Sequence, residues 1–118
     1  MKIEKFEELT FWKESIDTSV DIFKIFEGSK DLSFKNQITE MSVSVGSNIA
    51  HGFERRFETD EFKNYLYNAI GSNTVLRSML YIGKDLGYIS EDEFQKLYDR
   101  SVGISKMIGG FIKTFKKD

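Results

Sequence analysis

The sequence predicts an all-α fold, an antiparallel up-down-up-down four-helix bundle, on three observations. Apolar residues recur at three- and four-residue spacing in four successive segments, which is the period of an amphipathic helix. The chain of 118 residues contains no proline that would interrupt a helix. The connections between the segments are short, and short connections place neighbouring helices antiparallel. The length predicts a single domain, residues 1–118.

The first predicted helix runs from about Leu9 to Glu27 and carries one apolar stripe at helical spacing. Gly28 follows it, and glycine suits the left-handed position that ends many helices. We therefore expect the stripe to face the core and the helix to end at this glycine. The stripe consists of Trp12, Ile16, Ser19, Phe23 and Phe26.

The second predicted helix runs from about Ser33 to Arg56, with Ser33 as its N-terminal cap. Serine suits this position because its hydroxyl accepts a hydrogen bond from a free backbone N–H of the first turn. The apolar stripe of this helix consists of Phe34, Ile38, Met41, Val45, Ile49 and Phe53.

The third predicted helix begins after Thr59 and ends near Gly87. Asp60 and Glu61 lie in its first turn, where negative charge is favourable at the positive end of the helix dipole. One stripe runs the whole length of the helix and defines the side that we expect to be buried. It consists of Phe62, Leu66, Ala69, Asn73, Leu76, Leu80 and Gly83.

The fourth predicted helix opens with a capping box formed by Ser90 and Glu93. Its last turn is rich in lysine, which complements the negative end of the helix dipole. These lysines are Lys113, Lys116 and Lys117. The stripe has the most regular spacing of the four and consists of Phe94, Leu97, Ser101, Ile104, Ile108, Phe111 and Phe115.

Three of the helices carry a second group of apolar residues beside the main stripe. A helix of a monomeric bundle needs one apolar stripe and is polar on its opposite side. The surplus therefore favours burial against another subunit, although a wide core stripe with scattered exposed apolar residues would give the same pattern. The additional residues are Ile22, Ile25, Tyr67, Val75, Met79, Ile82, Leu86, Tyr98, Val102 and Met107.

The composition excludes several classes of protein. No cysteine is present, so disulfide frameworks, thiolate metal sites and cysteine nucleophiles are ruled out. A single histidine cannot form the His pair of a helical metal site, and we expect neither a metal nor a cofactor. The 17 Lys and Arg against 19 Asp and Glu give a net charge of -2, which disfavours a dedicated nucleic-acid coat protein.

We expect a cytoplasmic protein without a membrane partner. Residues 1–10 are charged and lack the apolar run of a secretory signal. Charged residues interrupt every apolar segment before it reaches the ~18–20 residues that a membrane helix needs. The absence of cysteine agrees with a reducing compartment.

We also expect no enzymatic activity. Ser47 and His51 are four residues apart and share one face of the second helix. A nucleophilic serine also needs an orienting acid and oxyanion donors, and the N–H groups beside a mid-helix serine are already bonded within the helix. The carboxylates at Glu91 to Glu93 are explained by the start of a helix.

Small residues are concentrated in the second helix, where Ser42, Gly46 and Ala50 lie four apart on one face. Such a face lets a neighbouring helix approach closely, which compensates for the low helix propensity of glycine. We expect Ser47 and Asn48 to be buried against Ser72 or Asn73 and to fix the register of the helices. The alternative interpretation is a small-ligand site lined by Ser47, Asn48 and His51.

The same segment carries a resemblance to a known family. Residues 44–56 read Ser-Val-Gly-Ser-Asn-Ile-Ala-His-Gly-Phe-Glu-Arg-Arg and resemble the signature SxPSNIAEG-R-R of the bacterial ribosomal RNA intervening-sequence proteins, also called S23-like. We take Ser42, Gly46, Ser47, Asn48, Ala50 and Gly52 as the helix-packing signature. The resemblance extends from about residue 6 to residue 113. Its further matches are Phe6 to Trp12, Gln37-Ile38, Phe62 to Leu66, Gly71-Ser72 and Leu86 to Ser90.

The resemblance implies a cytoplasmic four-helix bundle that assembles into a ring of five copies and has no established enzymatic activity. A related branch, the accessory proteins of diversity-generating retroelements, binds nucleic acid and a reverse transcriptase through a basic ring surface. The implied function is a homopentameric scaffold whose partners are its own copies and another protein. A nucleic-acid-binding ring is the alternative.

Several departures from the family pattern weaken the nucleic-acid alternative. Thr39, Glu40 and Ile70 stand where the family usually has arginine, so three cations are lost and one carboxylate is gained. Nucleic-acid affinity depends on the number of phosphates neutralised and falls accordingly. Gly46 and His51 replace the usual proline and glutamate. The basic residues that remain as candidate contacts are Arg55, Arg56, Lys63, Arg77 and Lys84.

Overall fold

The computed structural model describes residues 2–115, which form four α-helices and no strand. The prediction of an all-α fold with four helices is therefore confirmed. A short 3-10 helix, Phe6–Glu8, precedes the first α-helix and was not predicted. Lys116 and Lys117 of the predicted C-terminal lysine cluster lie outside the described residues. The helices are α1 (Thr10–Ile25), α2 (Leu32–Glu54), α3 (Thr59–Asp85) and α4 (Glu91–Ile112).

The ends of α3 and α4 are set by local hydrogen bonds that the sequence indicates. Gly87 has a φ of 78°, and its N–H donates to the Lys84 carbonyl while the next N–H donates to the Gly83 carbonyl. This pattern closes a helix and requires the left-handed conformation that glycine adopts without strain. The Ser90 hydroxyl accepts from the Glu93 N–H at 3.1 Å, and the Glu93 carboxylate accepts from the Ser90 N–H at 2.8 Å. The predicted capping box is present.

The loop between α1 and α2 differs from the prediction. Asp31 rather than Ser33 caps α2, because its Oδ1 accepts from the Phe34 N–H at 3.0 Å. Its other carboxylate oxygen accepts from the Tyr88 hydroxyl at 2.6 Å, which ties this loop to the connection between α3 and α4. Gly28 does not take the left-handed conformation; α1 ends at Ile25.

The two hydrogen bonds to Asp31 also affect its protonation. The Tyr88 hydroxyl and then the Phe34 N–H stabilise the carboxylate and hold the pKa of Asp31 below its usual value of 3.8. The same contact raises the pKa of Tyr88. A carboxyl group whose pKa is lower in the folded chain than in the unfolded chain stabilises the fold at pH values above its unfolded pKa. This contribution is lost as the pH falls through the folded pKa.

Each helix packs against its neighbours in the chain, and α1 also packs against α4, so the four surround one core. Along the contact between α2 and α3, higher-numbered residues of α2 meet lower-numbered residues of α3. Ser44 bonds to Ser72, with 2.8 Å between the two hydroxyl oxygens, whereas the Phe53 ring lies 6.0 Å from the Phe62 ring. The bundle measures 49 × 20 × 20 Å.

The apolar core consists of two clusters, one at each end of the bundle. One cluster joins the start of α1 to the end of α4, with Phe11 and Phe111 in edge-to-face contact at 5.4 Å between ring centroids. The other joins the end of α1 to the start of α4, with Phe26 against Tyr88. The predicted stripe of α3 is buried in full and contributes to both clusters.

A layer of buried polar side chains occupies the middle of the bundle between these clusters, and we call it the polar layer. Four of its hydroxyls donate to carbonyls of their own helix, as the Ser42 hydroxyl does to the Thr39 carbonyl at 2.7 Å. The Ser19 hydroxyl has no hydrogen-bond partner among residues 2–115. The layer consists of Ser15, Thr18, Ser19, Thr39, Ser42, Asn73 and Ser101.

Asn73 connects α3 to α4 across the polar layer. Its buried side chain forms three hydrogen bonds to residues of α4. Its Nδ2 donates to the Ser101 carbonyl at 2.7 Å and to the Ser105 hydroxyl at 2.8 Å. Its Oδ1 accepts from the Ser101 hydroxyl at 2.8 Å. Because the amide is completely buried, sliding α3 along α4 would leave all these groups unpaired.

The prediction for α1 is wrong about which stripe faces the core. Ile16 and Phe23 are exposed, at 36% and 47%, although Ser19 and Phe26 are buried as predicted. The helix is rotated by one residue, so that Ser15 and Thr18 face inward instead. The small hydroxyl residues fit where α1 approaches α2 closely, whereas the larger Ile16 and Phe23 do not.

We predict that Asn73→Ala lowers the free energy of unfolding by about 2–3 kcal/mol, because Ser101 and Ser105 lose a buried partner. Urea unfolding followed by circular dichroism measures the change. Asn68→Ala is the matched control, since Asn68 is an exposed asparagine of the same helix and its loss should change the stability by less than about 0.5 kcal/mol. Equal effects of the two substitutions would contradict the role given to Asn73.

Candidate functional site

The exposed large apolar side chains of the described residues lie on α1, α2, α3 and the two loops that flank α3, and none lies on α4. The outward positions of α4 are instead largely charged, as at Lys96, Asp99 and Lys106. Exposed large apolar side chains on three of the four helices are the distribution of a chain that associates. The exposed residues are Ile16, Val20, Phe23, Leu32, Val43, Phe57, Tyr67, Val75, Tyr81, Ile82 and Leu86.

One of these apolar regions is a groove of about 260 Å³ between α1 and α2, which we call the α1/α2 groove. None of its lining residues is charged. Ser19 lines it with a buried hydroxyl that finds no hydrogen-bond partner in the described part of the chain. Val20 and Phe23 continue the exposed stripe of Ile16 on α1. The lining consists of Phe6, Trp12, Ile16, Ser19, Val43, Gly46, Ser47 and Ala50.

Gly46 lets α1 approach α2 at this groove. A Cβ at this position would lie 2.9 Å from the Ser15 hydroxyl oxygen and 3.2 Å from the Ile16 Cδ1. The neighbouring small residues of the same face, Ser42 and Ala50, are buried and half-buried. The helix that approaches the predicted small-residue face is therefore α1 of the same chain.

Gly52 allows close packing of α3, the other neighbour of α2. A Cβ here would lie 2.6 Å from the Cβ of Tyr65 and 3.2 Å from the Cδ1 of Phe62. The Cβ of Tyr65 is fixed by the backbone of α3 and cannot rotate away. The glycines at 46 and 52 thus allow close packing on two different sides of α2.

A second apolar region is the outer face of α3, which we define as Tyr67, Gly71, Val75, Ser78 and Ile82. All five are exposed, Tyr67 at 55% and Val75 and Ile82 at 47%. No residue from 64 to 76 or from 78 to 83 is charged. Protein interfaces are depleted of charge and enriched in tyrosine at their centres, and this face has both properties.

The uncharged part of α3 lies beside an uncharged part of α2. Residues 41–53 contain no Asp, Glu, Lys or Arg, and neither do residues 64–76. The hydroxyls of Ser44 and Ser72 and the side chains of His51 and Tyr65 join these two stretches. The two stretches form a surface without formal charge about 18 Å long.

The predicted register residues are placed differently by the structure. Ser47 is exposed, and Asn48 is half-buried and donates to the Ser44 carbonyl at 2.9 Å. Ser44, which was not predicted, bonds to Ser72 instead. The buried asparagine between helices is Asn73. Its place in the predicted apolar stripe of α3 was the sequence signal that could have identified it.

The group of α3 that contacts the Ser47 and His51 pair is the Tyr65 hydroxyl, which is not an orienting acid. The Nε2 of His51 lies 3.3 Å from the Tyr65 hydroxyl, and the two rings stack with centroids 4.3 Å apart. The uncharged stretches 41–53 and 64–76 supply no carboxylate. Among residues 2–115, no three side chains of the metal-ligating types come together.

Five basic residues were predicted as nucleic-acid contacts, and the structure pairs four of them within the chain. Arg55 forms a salt bridge with Glu61, and the Arg56 guanidinium lies 4.3 Å from the centre of the Phe53 ring. At the other end of α3, Lys84 lies 4.5 Å from the centre of the Phe94 ring. These contacts hold the cations close to the protein surface.

Arg77 is turned toward α4, where its Nη1 donates to the hydroxyls of Ser101 and Ser105 at 3.2 Å each. Lys63 is half-buried in the second turn of α3. Lys63 and Lys84 are about 30 Å apart along the helix axis, so the five cations do not form one patch. Arg55, Arg56 and Lys63 alone share one end of the bundle.

None of the helices in residues 2–115 has the length and hydropathy required to cross a membrane.

Comparisons with known proteins agree with this architecture. Residues 7–110 match the family model described as 23S rRNA-intervening sequence protein. The fold is similar to the crystal structure of a protein with unknown function from the S23 ribosomal protein family of Bacteroides thetaiotaomicron VPI-5482. The TM-score is 0.81 and the sequence identity 23%, over 89% of this chain and 100% of that chain. No curated protein sequence matches the chain.

We predict that Gly52→Ala lowers the free energy of unfolding by about 1–3 kcal/mol, because the new methyl group collides with the Cβ of Tyr65. Gly103→Ala is the matched control. A Cβ at that mid-helix glycine meets nothing within 4 Å, so the substitution should stabilise the protein by about 0.5–1 kcal/mol. Thermal unfolding of the two variants should therefore shift in opposite directions, and a stabilised Gly52→Ala variant would contradict the packing described.

Proposed function

The chain belongs to the 23S rRNA-intervening sequence protein family, and we propose that it is a cytoplasmic homo-oligomeric scaffold, a ring of five copies. In this proposal the protein acts by presenting a surface and does not turn over a substrate. The copy number of five follows from the resemblance of its sequence to that family. Its partners are its own copies and, on the assembled ring, another protein.

The observation that carries the proposal is the outer face of α3. Tyr67, Val75 and Ile82 are about half exposed, and none of the five residues that define this face carries a formal charge. A folded chain that stayed alone would leave these side chains in water, at a cost of roughly 25 cal/mol per Å² of apolar surface. Association with a second surface removes that cost.

The proposed bundle runs up-down-up-down. The pairings of Ser44 with Ser72 and of Phe53 with Phe62 support opposite directions for α2 and α3. The connections between successive helices are short, which supports the same arrangement for the other pairs.

The non-catalytic role is supported by the surroundings of the one serine–histidine pair. The His51 imidazole is engaged by the Tyr65 hydroxyl, and Ser47 lies in the middle of α2, where its neighbouring N–H groups are bonded within the helix. These groups therefore lack the donors that an oxyanion would need.

A nucleic-acid-binding ring is the alternative, and one observation favours it. Arg55, Arg56 and Lys63 share one end of the bundle, so a ring would repeat this cluster in every copy. Glu61, which pairs with Arg55, and the nearby Glu58 and Asp60 reduce the positive potential there. The scaffold role is therefore the better supported.

We predict that light scattering of the purified protein at micromolar concentration gives a mass of about 68 kDa, five times the chain mass of 13.7 kDa. Val75→Asp should reduce the mass toward that of one chain, because it places a charge at the centre of an apolar face. Gln95→Asp on the charged side of α4 is the control and should leave the mass unchanged. A monomeric wild-type protein would refute the proposal.

We predict that an RNA duplex does not bind measurably at ~50 mM salt, since the chain has a net charge of -2 and four of the five candidate basic contacts are engaged within it. Fluorescence anisotropy of a labelled duplex measures this. Binding that weakens steeply with added salt, and that is reduced in Arg55→Ala, would instead establish the nucleic-acid alternative.

A further inference from the structure

We infer that Arg77 forms a binding site for a carboxylate group on the seam between α3 and α4, beside Ser105. The carboxylate belongs either to a small free acid or to an acidic side chain of another protein, and Arg77 recognises the same chemistry in both. Such a site goes beyond the scaffold role proposed above and does not depend on the number of copies in the assembly.

Arg77 differs from the other arginines of the chain in what surrounds its charge. Arg55 and Arg100 form salt bridges with carboxylates, and the Arg56 guanidinium lies over two phenylalanine rings. Arg77 is half-buried, yet among residues 2–115 it forms neither a salt bridge nor a cation–π contact. A partly desolvated cation without a counter-charge is costly, and a bound anion offsets that cost.

Hydrogen bonds hold one part of the Arg77 guanidinium and leave another part free. Nη1 donates to the hydroxyls of Ser101 and Ser105 at 3.2 Å each. Nη2 makes one contact, at 3.5 Å to Thr74 Oγ1, which is longer than an ordinary N–H···O hydrogen bond. The Nε–H has no acceptor among the described residues. Nε and Nη2 form the edge of a guanidinium that binds both oxygens of a carboxylate, and here that edge is almost unused.

This edge of Arg77 is open to solvent. The described residues contain one enclosed side-chain polar atom without a partner, the Ser19 hydroxyl, so the unpartnered Nε of Arg77 is not enclosed. The two serines of α4 fix the guanidinium through Nη1, and they thereby preorganise its free edge for a ligand.

Ser105 adds a second free donor to the seam. Its oxygen accepts from Asn73 Nδ2 at 2.8 Å and from Arg77 Nη1 at 3.2 Å, so both of its lone pairs are occupied. Its O–H has no acceptor among the residues that the structure describes. The side chains of Arg77 and Ser105 therefore have free donors and no free acceptor, which suits a ligand that only accepts hydrogen bonds, such as an ionised carboxylate.

The charges along the seam also favour an anion. Residues 62–84 and residues 100–115 contain no Asp or Glu. The carboxylate that precedes this part of α4, that of Asp99, accepts from the Gln95 side chain at 2.9 Å. Neither stretch therefore supplies an acidic side chain that could compete for Arg77.

The spacing of the cations favours a single carboxylate over a nucleic-acid backbone. Arg77 is the one charged residue of α3 between Lys63 and Lys84, which lie roughly 20 Å and 10 Å from it along the helix axis. Nucleic-acid binding depends on the neutralisation of several phosphates, whereas one planar guanidinium edge matches one carboxylate.

The Nε–H signal of Arg77 in the NMR spectrum of the isotope-labelled protein reports on this edge directly. The probes, titrated at constant ionic strength, are acetate, a peptide of alternating glutamate and glycine, and the same peptide with glutamine in place of glutamate. We expect the glutamate peptide to move the signal saturably at concentrations up to ~10 mM, and the glutamine peptide to leave it unchanged. A response to acetate as well would identify a small free acid as a sufficient ligand, whereas a response to the glutamate peptide alone would identify an acidic protein segment.

A signal that neither carboxylate probe moves would overturn the inference. So would inorganic phosphate that moves the signal at a lower concentration than the glutamate peptide does, because the site would then take phosphate.

Two variants separate recognition by the guanidinium from general attraction between charges. Arg77→Lys keeps the charge and removes the planar edge, so we expect it to weaken binding of the glutamate peptide by at least about fivefold, measured on the backbone amide signals of α3. Lys106→Gln is the matched control, because Lys106 is an exposed cation next to Ser105, and its loss should weaken binding by less than about twofold. Equal effects of the two substitutions, or a larger effect of Lys106→Gln, would contradict the site. Thermal unfolding shows whether each variant is folded, and the titration of the unaltered protein decides the question if Arg77→Lys is not.

These outcomes are distinct from those that test the scaffold role. A monomeric mass in light scattering would refute the scaffold and leave the Arg77 titration valid, since the site lies within one chain. An oligomer of the expected mass whose Arg77 signal responds to no carboxylate would refute the carboxylate site alone.

Discussion

The register of the bundle depends on the buried amide of Asn73. Its three hydrogen bonds to Ser101 and Ser105 can form at one alignment of α3 on α4 only, and any other alignment leaves polar groups unpaired in the core. Apolar side chains alone would tolerate several alignments, because their packing is not directional. The polar layer therefore specifies the structure, and the apolar clusters on either side of it supply the free energy of folding.

Close approach of α1 and α3 to α2 explains the shape of the surface. Gly46 and Gly52 weaken α2 as an isolated helix, and packing on both of its sides compensates. Because α1 lies so near to α2, only small residues such as Ser15 fit between them. The larger Ile16 and Phe23 are consequently displaced outward, where they border the α1/α2 groove. The packing inside one chain thus creates the apolar surface available to another.

Charged residues are distributed unevenly along the helices of the bundle. Residues 41–53 of α2 and 64–76 of α3 carry no formal charge, whereas the exposed positions of α4 are largely charged. Four of the five basic residues that could contact phosphate are engaged within the chain, including Arg77 with the serines of α4. These features together describe a protein whose surface is suited to contact with protein, and they support the scaffold role over a role in binding nucleic acid.

The sequence by itself determined the four helices, the capping box at Ser90, the turn at Gly87 and the buried stripe of α3, because local hydrogen bonds and periodicity within one helix decide these features. The tertiary structure decided which of two adjoining stripes of α1 faces the core, and it placed the buried asparagine at 73 rather than 48. It also decided that Arg55 pairs with Glu61. The sequence shows which residues of each helix could be buried, whereas the space between the packed helices determines which of them are buried.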